Sequence, residues 1–174
     1  MPQTQEPYIA DLVRQPNAVA GRKKLQKIVF LLQSVGAPLT ARFEYHFYGP
    51  FSEQLADEVR WLVQTGQLIE EPRQTPGGHR EYVYRAGEAA PSAEAFPTPY
   101  VTVGRHLNGL DARFLELMAT MQYLRARGMT ADEAGVRACE LKSTQGYTSM
   151  DVTRAWAVLD QIQEASRTGA RIEP

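Results

Sequence analysis

Apolar side chains recur at helical spacing through the first third of the chain. The pattern predicts a short helix over about residues 6–14 and a longer one over about residues 22–35. A third stripe predicts a helix over about residues 53–65, with Ser52 as its N-cap. The stripe of the second helix consists of Leu25, Ile28, Val29 and Leu32. We expect this second helix to lie at the centre of the core.

Two other segments alternate apolar and polar side chains, a pattern typical of strands. In residues 42–48 the alternation places Phe43, Tyr45 and Phe47 on one face, which we expect to be buried in the core, and Gly49-Pro50 ends the strand. Farther along the chain, two short apolar runs flank a turn signal and predict a β-hairpin. The residues concerned are 68–71, Pro76-Gly77-Gly78 and 81–85.

The order of these elements predicts the fold class. Helix, helix, short strand, helix and hairpin is the order of a winged-helix unit, expected over residues 1–88. A proline-rich stretch predicts a connector over residues 89–108. Three amphipathic helices follow over residues 109–168, and we expect them to complete the same core. The prediction is a mainly α protein with a small β-hairpin, in which a winged-helix-like unit is completed by a three-helix C-terminal segment.

Local capping signals mark where these last helices begin. Asp111 precedes the first apolar stripe of the segment. Thr130 with Glu133 has the spacing of a capping box, and Thr148 with Asp151 repeats it with a shorter acid.

Composition narrows the class of function only slightly. The formal net charge is −1, so the chain as a whole has no field that would attract nucleic acid or an anionic membrane. The single cysteine, Cys139, excludes an internal disulfide and a metal site with several thiolates. Because no apolar run approaches the roughly 18 residues of a membrane span, we expect no membrane association and a cytoplasmic location.

Two strings in a fixed order resemble a known family. Residues 24–33 read KLQKIVFLLQ, and residues 43–55 read FEYHFYGPFSEQL. Together they resemble the YwgA family of uncharacterised bacterial proteins and the wider Panacea (SocA-like) antitoxin-type domain. The resemblance implies a small, mostly helical, non-enzymatic domain. In Panacea-type antitoxins that domain binds and neutralises a partner toxin.

Aromatic residues around the YGP string are the candidates for partner binding. An aromatic rim beside a rigid turn is suited to capture of a peptide or helix. The candidate residues are Tyr48, Gly49, Pro50 and Phe51. Trp61 lies off the apolar stripe of its helix, so it is either exposed at an interface or, as we expect, covered by the C-terminal helices. Apolar surface between the hairpin and the C-terminal helices is also compatible with a homodimer.

Basic residues form the candidates for an anion or nucleic-acid contact. They occupy the first turns of the second helix and the tip of the hairpin, and they are Arg22, Lys23, Lys24, Lys27, Arg73, His79 and Arg80. The simpler interpretation is a solvated face, with ion pairs to Asp57 and Glu58 of the third helix. That helix presents mainly acids, which disfavour binding to phosphates.

Catalysis and metal binding find little support in the sequence. His46, His79 and His106 lack metal-ligand spacing, and Cys139 lies on an apolar helical stripe. We therefore expect no enzyme activity, no cofactor and no metal. The function predicted from sequence is a non-enzymatic interaction protein that binds a protein partner, such as a toxin, in the manner of a Panacea-type antitoxin. The alternative is a winged-helix DNA-binding regulator or DNA-repair accessory protein.

Overall fold

Helices form most of the described chain. The computed structural model describes residues 5–14, 17–91 and 96–172. The α-helices in this part of the chain are α1 Glu6–Leu12, α2 Arg22–Ser34, α3 Glu53–Gln64, α4 Thr98–Asn108, α5 Ala112–Ala126, α6 Ala131–Leu141 and α7 Ser149–Thr168. A single 3₁₀ turn, Ser143–Gln145, connects α6 to α7. The mainly α fold predicted from the sequence is therefore confirmed.

Within the described residues, five short strands form two antiparallel sheets. They are β1 Val19–Ala20, β2 Glu44–His46, β3 Gly49–Phe51, β4 Leu68–Gln74 and β5 Arg80–Ala86. The first sheet has the order β1-β5-β4, and the second is the β2-β3 hairpin. The predicted hairpin is β4-β5, which pairs from Leu68↔Ala86 to Gln74↔Arg80. The pair Val19↔Tyr84 adds β1 to its inner edge.

Helix α2 lies at the centre of the core, as its apolar stripe predicts. Ile28, Val29, Leu31 and Leu32 are fully buried. Helices α4 and α5 both pack on α2, while α6 and α7 pack on α5. The buried residues of the N-terminal elements and of the C-terminal helices belong to one hydrophobic cluster. The C-terminal segment therefore completes the core that α2 begins.

The predicted helix starts are confirmed in detail. Ser52 Oγ accepts a hydrogen bond from the Leu55 N–H, and Asp111 caps α5 in the same way. Thr130 and Thr148 each take part in a complete capping box with the acid three residues later. These caps satisfy N–H groups that have no partner within the first turn of a helix.

Helix α4 corrects the predicted connector. It begins at Thr98, has Pro99 in its first turn and contributes Val103 and Leu107 to the core. Proline is compatible with the first helical turn, because the N–H that it lacks would have no intrahelical partner there. Pro99 thus lies at the start of a helix, whereas the sequence pattern predicts a connector there. Residues 92–95 of the predicted connector lie outside the described residues.

The segment around Phe47 also differs from the prediction. Strand β2 stops at His46, and the chain turns at residues 47–48 and returns as β3, so Gly49-Pro50 lies in a second strand. Phe47, predicted to be in the core, is 82% exposed. Phe43 and Tyr45 are partly buried and lie against aromatic rings of α2 and α5. The turn reverses the chain before the period-two alternation can extend to Phe47.

Trp61 is not covered by the C-terminal helices. It is 44% exposed on α3, so the expectation that those helices cover it is wrong. Helix α3 instead packs chiefly on β4. Within the described residues, no helix combines the length and the apolar character that crossing a membrane requires.

Candidate functional site

Helix α2 binds the YGP segment through the side chains of its KLQK string. The Gln26 side-chain amide donates to the Ser52 carbonyl at 2.9 Å, and Gln26 Oε1 accepts from the Ser52 N–H at 3.0 Å. The next residue, Lys27, donates from Nζ to the Pro50 carbonyl at 2.8 Å. A helix side chain thus replaces the neighbouring strand that would otherwise pair with this backbone. The two strings that carry the family resemblance are in direct contact.

Lys27 is a buried cation. It is only 2% exposed, and burial lowers its pKa to about 8. The nearby carboxylate of Glu116 on α5 acts in the opposite direction, while Lys142 and Lys23 add to the decrease. The lysine therefore lies in an environment that disfavours its charged form.

A second lysine reaches the same segment from the other side. Lys142, just after α6, is 5% exposed and forms an ion pair with Glu116 at 2.7 Å. Its Nζ also donates to the Phe47 carbonyl. The carbonyls of Phe47 and Pro50 are thus each bound by a buried lysine, and the Glu116 carboxylate interacts electrostatically with both cations. This is a charge-assisted arrangement that fixes the backbone of residues 47–50, here called the aromatic turn.

Gly49 allows the aromatic turn to approach α5. Its φ angle is +81°, and a Cβ atom at this position would lie 3.0 Å from Thr120 Oγ1. Only glycine adopts this backbone conformation without strain. Beside it, burial raises the pKa of Tyr45. The base of the turn is therefore tightly packed and polar.

The outer face of the aromatic turn is apolar and accessible. Phe47 is 82% exposed and Tyr48 is 45% exposed, and their rings meet edge to face with centroids 5.0 Å apart. The ammonium of Lys23 lies 3.0 Å from the centroid of the Tyr48 ring, within cation–π range. A rigid polar base thus presents two large aromatic side chains to solvent.

The predicted partner-binding residues divide into two groups. Gly49 and Pro50 are buried and form the base, whereas Tyr48 is exposed and Phe51 is partly buried. Phe51 lies against His46, with ring centroids 5.3 Å apart. The accessible aromatic surface therefore consists of Tyr48 with Phe47, which the sequence had placed in the core.

The basic residues of α2 do not form one patch. Lys27 is buried, Lys24 donates to the Asn108 carbonyl, and Lys23 lies on Tyr48. The expected ion pairs to α3 are wrong, since Asp57 pairs with Arg60 on its own helix and Glu58 accepts from Gln5. Each cation instead has a partner that is distant in sequence and outside α3.

Arg22 belongs to a separate polar group at the edge of the first sheet. Its guanidinium pairs with Glu70 at 3.0 Å and lies 3.2 Å from the Tyr84 hydroxyl, which donates to the same carboxylate. Burial acts to raise the pKa of Glu70, but the hydrogen bonds from Arg22 and Tyr84 outweigh it and lower that pKa. The guanidinium also lies 3.9 Å from the centroid of the Tyr82 ring.

This polar group closes one end of a cleft between α2 and α3. The cleft has a volume of about 460 Å³. Its apolar walls come from both helices and from β3, and they are Leu25, Phe51, Leu55, Ala56, Val59 and Val63. A cleft of this size and composition is typical of small-molecule sites.

At the hairpin tip the predicted cations are exposed and dispersed. Arg73 pairs with Glu81 across the hairpin at 2.6 Å. His79 and Arg80 are exposed, and Arg80 lies 5.4 Å from the Tyr82 ring centroid. Acidic neighbours therefore balance the positive charge of the hairpin tip, as its sequence indicates.

Metal and thiol chemistry have no assembled site in the described part of the chain. In residues 5–14, 17–91 and 96–172, no three His, Cys, Asp or Glu side chains lie close enough together to hold a metal ion. Cys139 is partly buried, and burial raises the pKa of its thiol, which disfavours the reactive thiolate.

Sequence reasoning missed the residues that complete the base of the aromatic turn and those that surround Arg22. Glu116 interrupts an apolar run of α5, between Leu115 and Leu117, and that interruption was the available signal. Lys142 follows the end of α6 with nothing in its neighbourhood to mark it as buried. Glu70 and Tyr84 face each other in the hairpin register, but alternation alone does not identify Arg22 as their partner.

Comparison with known proteins gives one relative of nearly the same length. The chain is 27% identical over 150 residues to the uncharacterized protein YwgA of Bacillus subtilis (strain 168), covering 84% of this chain and 89% of that protein. This chain is similar to YwgA. No protein-family model matches the chain, and no solved structure matches it. The resemblance to YwgA is thus supported over most of the chain.

Proposed function

We propose that this chain is a non-enzymatic interaction protein that captures a protein partner with Phe47 and Tyr48. The exposure of Phe47 carries the proposal. A phenylalanine that is 82% exposed forgoes most of the roughly 1.5–3 kcal/mol that burying its side chain would contribute. Large aromatic residues that a rigid surface presents in this way are enriched among the residues that dominate binding energy at protein interfaces.

The polar base of the aromatic turn supports the same proposal. Lys27 and Lys142 fix the backbone from which both rings project. A side chain on a fixed backbone loses less conformational entropy on binding than one on a mobile loop. The base thus favours affinity without contributing contact area itself.

The manner of binding is proposed by resemblance to the Panacea-type antitoxins. In that family the KLQK-type helix and the YGP-type turn belong to a domain that neutralises a toxin. Here the two strings are joined by the Gln26–Ser52 and Lys27–Pro50 hydrogen bonds. We accordingly infer a protein partner of the toxin kind, bound on the face that carries the turn.

A DNA-binding role is the second candidate, and one observation favours it. The elements α1, β1, α2, α3, β4 and β5, with the sheet order β1-β5-β4, have the connectivity of a winged-helix unit. We infer that residues 1–88 are winged-helix-like on this ground. Charge opposes DNA binding, because α3 exposes Glu53 and Asp57, and its one cation, Arg60, pairs with Asp57.

Photo-crosslinking from the turn tests partner capture. A benzoyl-phenylalanine at position 47 should crosslink one specific protein in the producing bacterium. The same group at position 150 should not, although Met150, on α7, is 80% exposed and thus matches Phe47. The crosslinked protein is then identified by mass spectrometry and produced separately.

Isothermal titration calorimetry with that purified partner measures the binding affinity of each variant. Phe47→Ala and Tyr48→Ala should each weaken binding by at least about 10-fold while circular dichroism shows an intact fold. Unchanged affinity in both variants would refute the aromatic turn as the binding surface. Salt-sensitive binding to duplex DNA that is lost on Lys23→Glu would instead support the second candidate.

A further inference from the structure

The geometry points to a small-molecule site in the cleft between α2 and α3, where the ligand is a neutral, flat heterocycle with a hydrogen-bond donor beside an acceptor. This site is separate from the aromatic turn, and its existence does not depend on partner capture. The cleft of about 460 Å³ lies within the roughly 300–1,000 Å³ of typical ligand pockets. The volume fits a bicyclic or tricyclic ring system.

The walls favour an apolar ring. Of the lining residues, Leu25 and Leu55 are almost completely buried, while Ala56 and Val63 are only partly buried. Part of the apolar face of α3 is therefore exposed to solvent in the cleft rather than packed on α2. A ring inserted there would remove this surface from water.

The closed end determines the polar chemistry of the ligand. Glu70 Oε1 accepts from Arg22, and Glu70 Oε2 accepts from Tyr84 and, at 3.4 Å, from Arg22 Nε, so about one of the roughly four acceptor sites of a carboxylate remains. The Arg22 guanidinium likewise has five N–H donors, of which two are directed to Glu70 and Tyr84. A donor and an acceptor with remaining capacity thus lie side by side, which complements the edge of a lactam or a nucleobase.

Charge balance excludes strongly ionic ligands. Two cations and two carboxylates line the cleft, namely Arg22, Arg60, Glu53 and Glu70. An anion placed at the closed end would contact Glu70, and a cation would contact Arg22. A neutral edge with both a donor and an acceptor satisfies the pair without repulsion.

A matched series of bicyclic probes tests this assignment. The neutral lactam carbostyril, the anion naphthoate and the cation naphthylmethylammonium have rings of the same size. Titration followed by amide shifts in nuclear magnetic resonance should show saturable binding of carbostyril, with a dissociation constant on the order of 1 mM for so small a molecule. The shifts should centre on Ala56, Val59 and Tyr84, and both ionic probes should bind at least about 10-fold more weakly.

Filling the cleft should abolish binding. Ala56→Phe places a ring in the cleft and should weaken carbostyril binding by at least about 10-fold. Gln54→Phe adds the same ring at an exposed position of α3 that does not line the cleft, and it should leave binding unchanged. Equal affinity in the two variants would overturn the site.

Changing the charge at the closed end should change the selectivity. Glu70→Gln leaves an excess positive charge and should raise naphthoate affinity by about 5- to 10-fold over that of the parent protein. Glu71→Gln is the matched control, because Glu71 is exposed on the same strand and pairs with Arg85. Preference of the parent protein for an ionic probe would overturn the proposal. The proposal would also be overturned if the cleft bound none of the probes and instead contacted the crosslinked partner.

Discussion

Lys27→Met should leave the free energy of unfolding at neutral pH unchanged or raise it, and it should remove part of the pH dependence of that free energy. In the folded protein burial lowers the pKa of Lys27 from the ordinary value of 10.5 to about 8. Each tenfold change in proton affinity corresponds to about 1.4 kcal/mol, so the buried charge costs about 3 kcal/mol below pH 8. Methionine removes this cost but leaves the Pro50 carbonyl without its donor, which costs about 1–3 kcal/mol.

The sign of the pH effect follows from proton counting. Between about pH 8 and pH 10.5 the unfolded chain keeps the Lys27 proton and the folded chain has lost it. Stability therefore rises with pH in this window, because the unfolded state binds more protons. Between pH 7 and pH 10 the parent protein should gain about 2.5 kcal/mol relative to Lys27→Met. The charged groups facing Lys27 are Glu116, Lys142 and Lys23, and all of them are retained in the variant.

Urea unfolding at a series of pH values measures this difference. At pH 7 we expect Lys27→Met to be equal in stability to the parent or up to about 2 kcal/mol more stable. Other groups that titrate at high pH cancel when the two proteins are compared. Ile28→Val, an uncharged change in the same core, should cost about 0.5–1.5 kcal/mol with no dependence on pH. An identical pH slope in the parent and in Lys27→Met would refute the reasoning.

Two further predictions concern the attachment of the aromatic turn. Gln26→Ala leaves the buried Ser52 N–H unpaired and removes one of the two hydrogen bonds to the Ser52 carbonyl, which also accepts from the Ala56 N–H; it should lower the free energy of unfolding by about 2–4 kcal/mol in urea titrations. The exposed Gln54→Ala should change it by less than about 0.5 kcal/mol, and a similar effect of both would contradict the role of Gln26. Gly49→Ala combines a positive φ with a contact to Thr120 and should cost about 1–3 kcal/mol. A thermal midpoint equal to that of the parent would contradict this account.

The sequence predicted well the features that depend on local chemistry. Helical spacing located α2 and α3, and the pairs Thr130–Glu133 and Thr148–Asp151 identified the N-caps of α6 and α7. These signals lie within a few residues of the structure that they specify. Propensity and capping arguments are therefore sufficient for them.

The sequence did not predict features that depend on contacts between distant segments. Lysine is rarely buried without a partner, so residue type alone placed Lys27 on the surface. Its partners, Pro50 and Glu116, are known only when α2, β3 and α5 have been assembled. Phe47 was misplaced for a related reason, because the position of a turn decides whether an alternating aromatic residue faces the core or solvent.

Ser52 fixes the position of the N-terminus of α3. Its backbone is bound to Gln26, and its hydroxyl caps α3, so the first turn of the helix is attached to α2 through one residue. The same helix packs on β4. With two supports, α3 has little freedom to close over a ligand, and the cleft is already formed before binding. We therefore expect association to resemble entry into a rigid receptor, with little reorganisation of the protein and no slow conformational step.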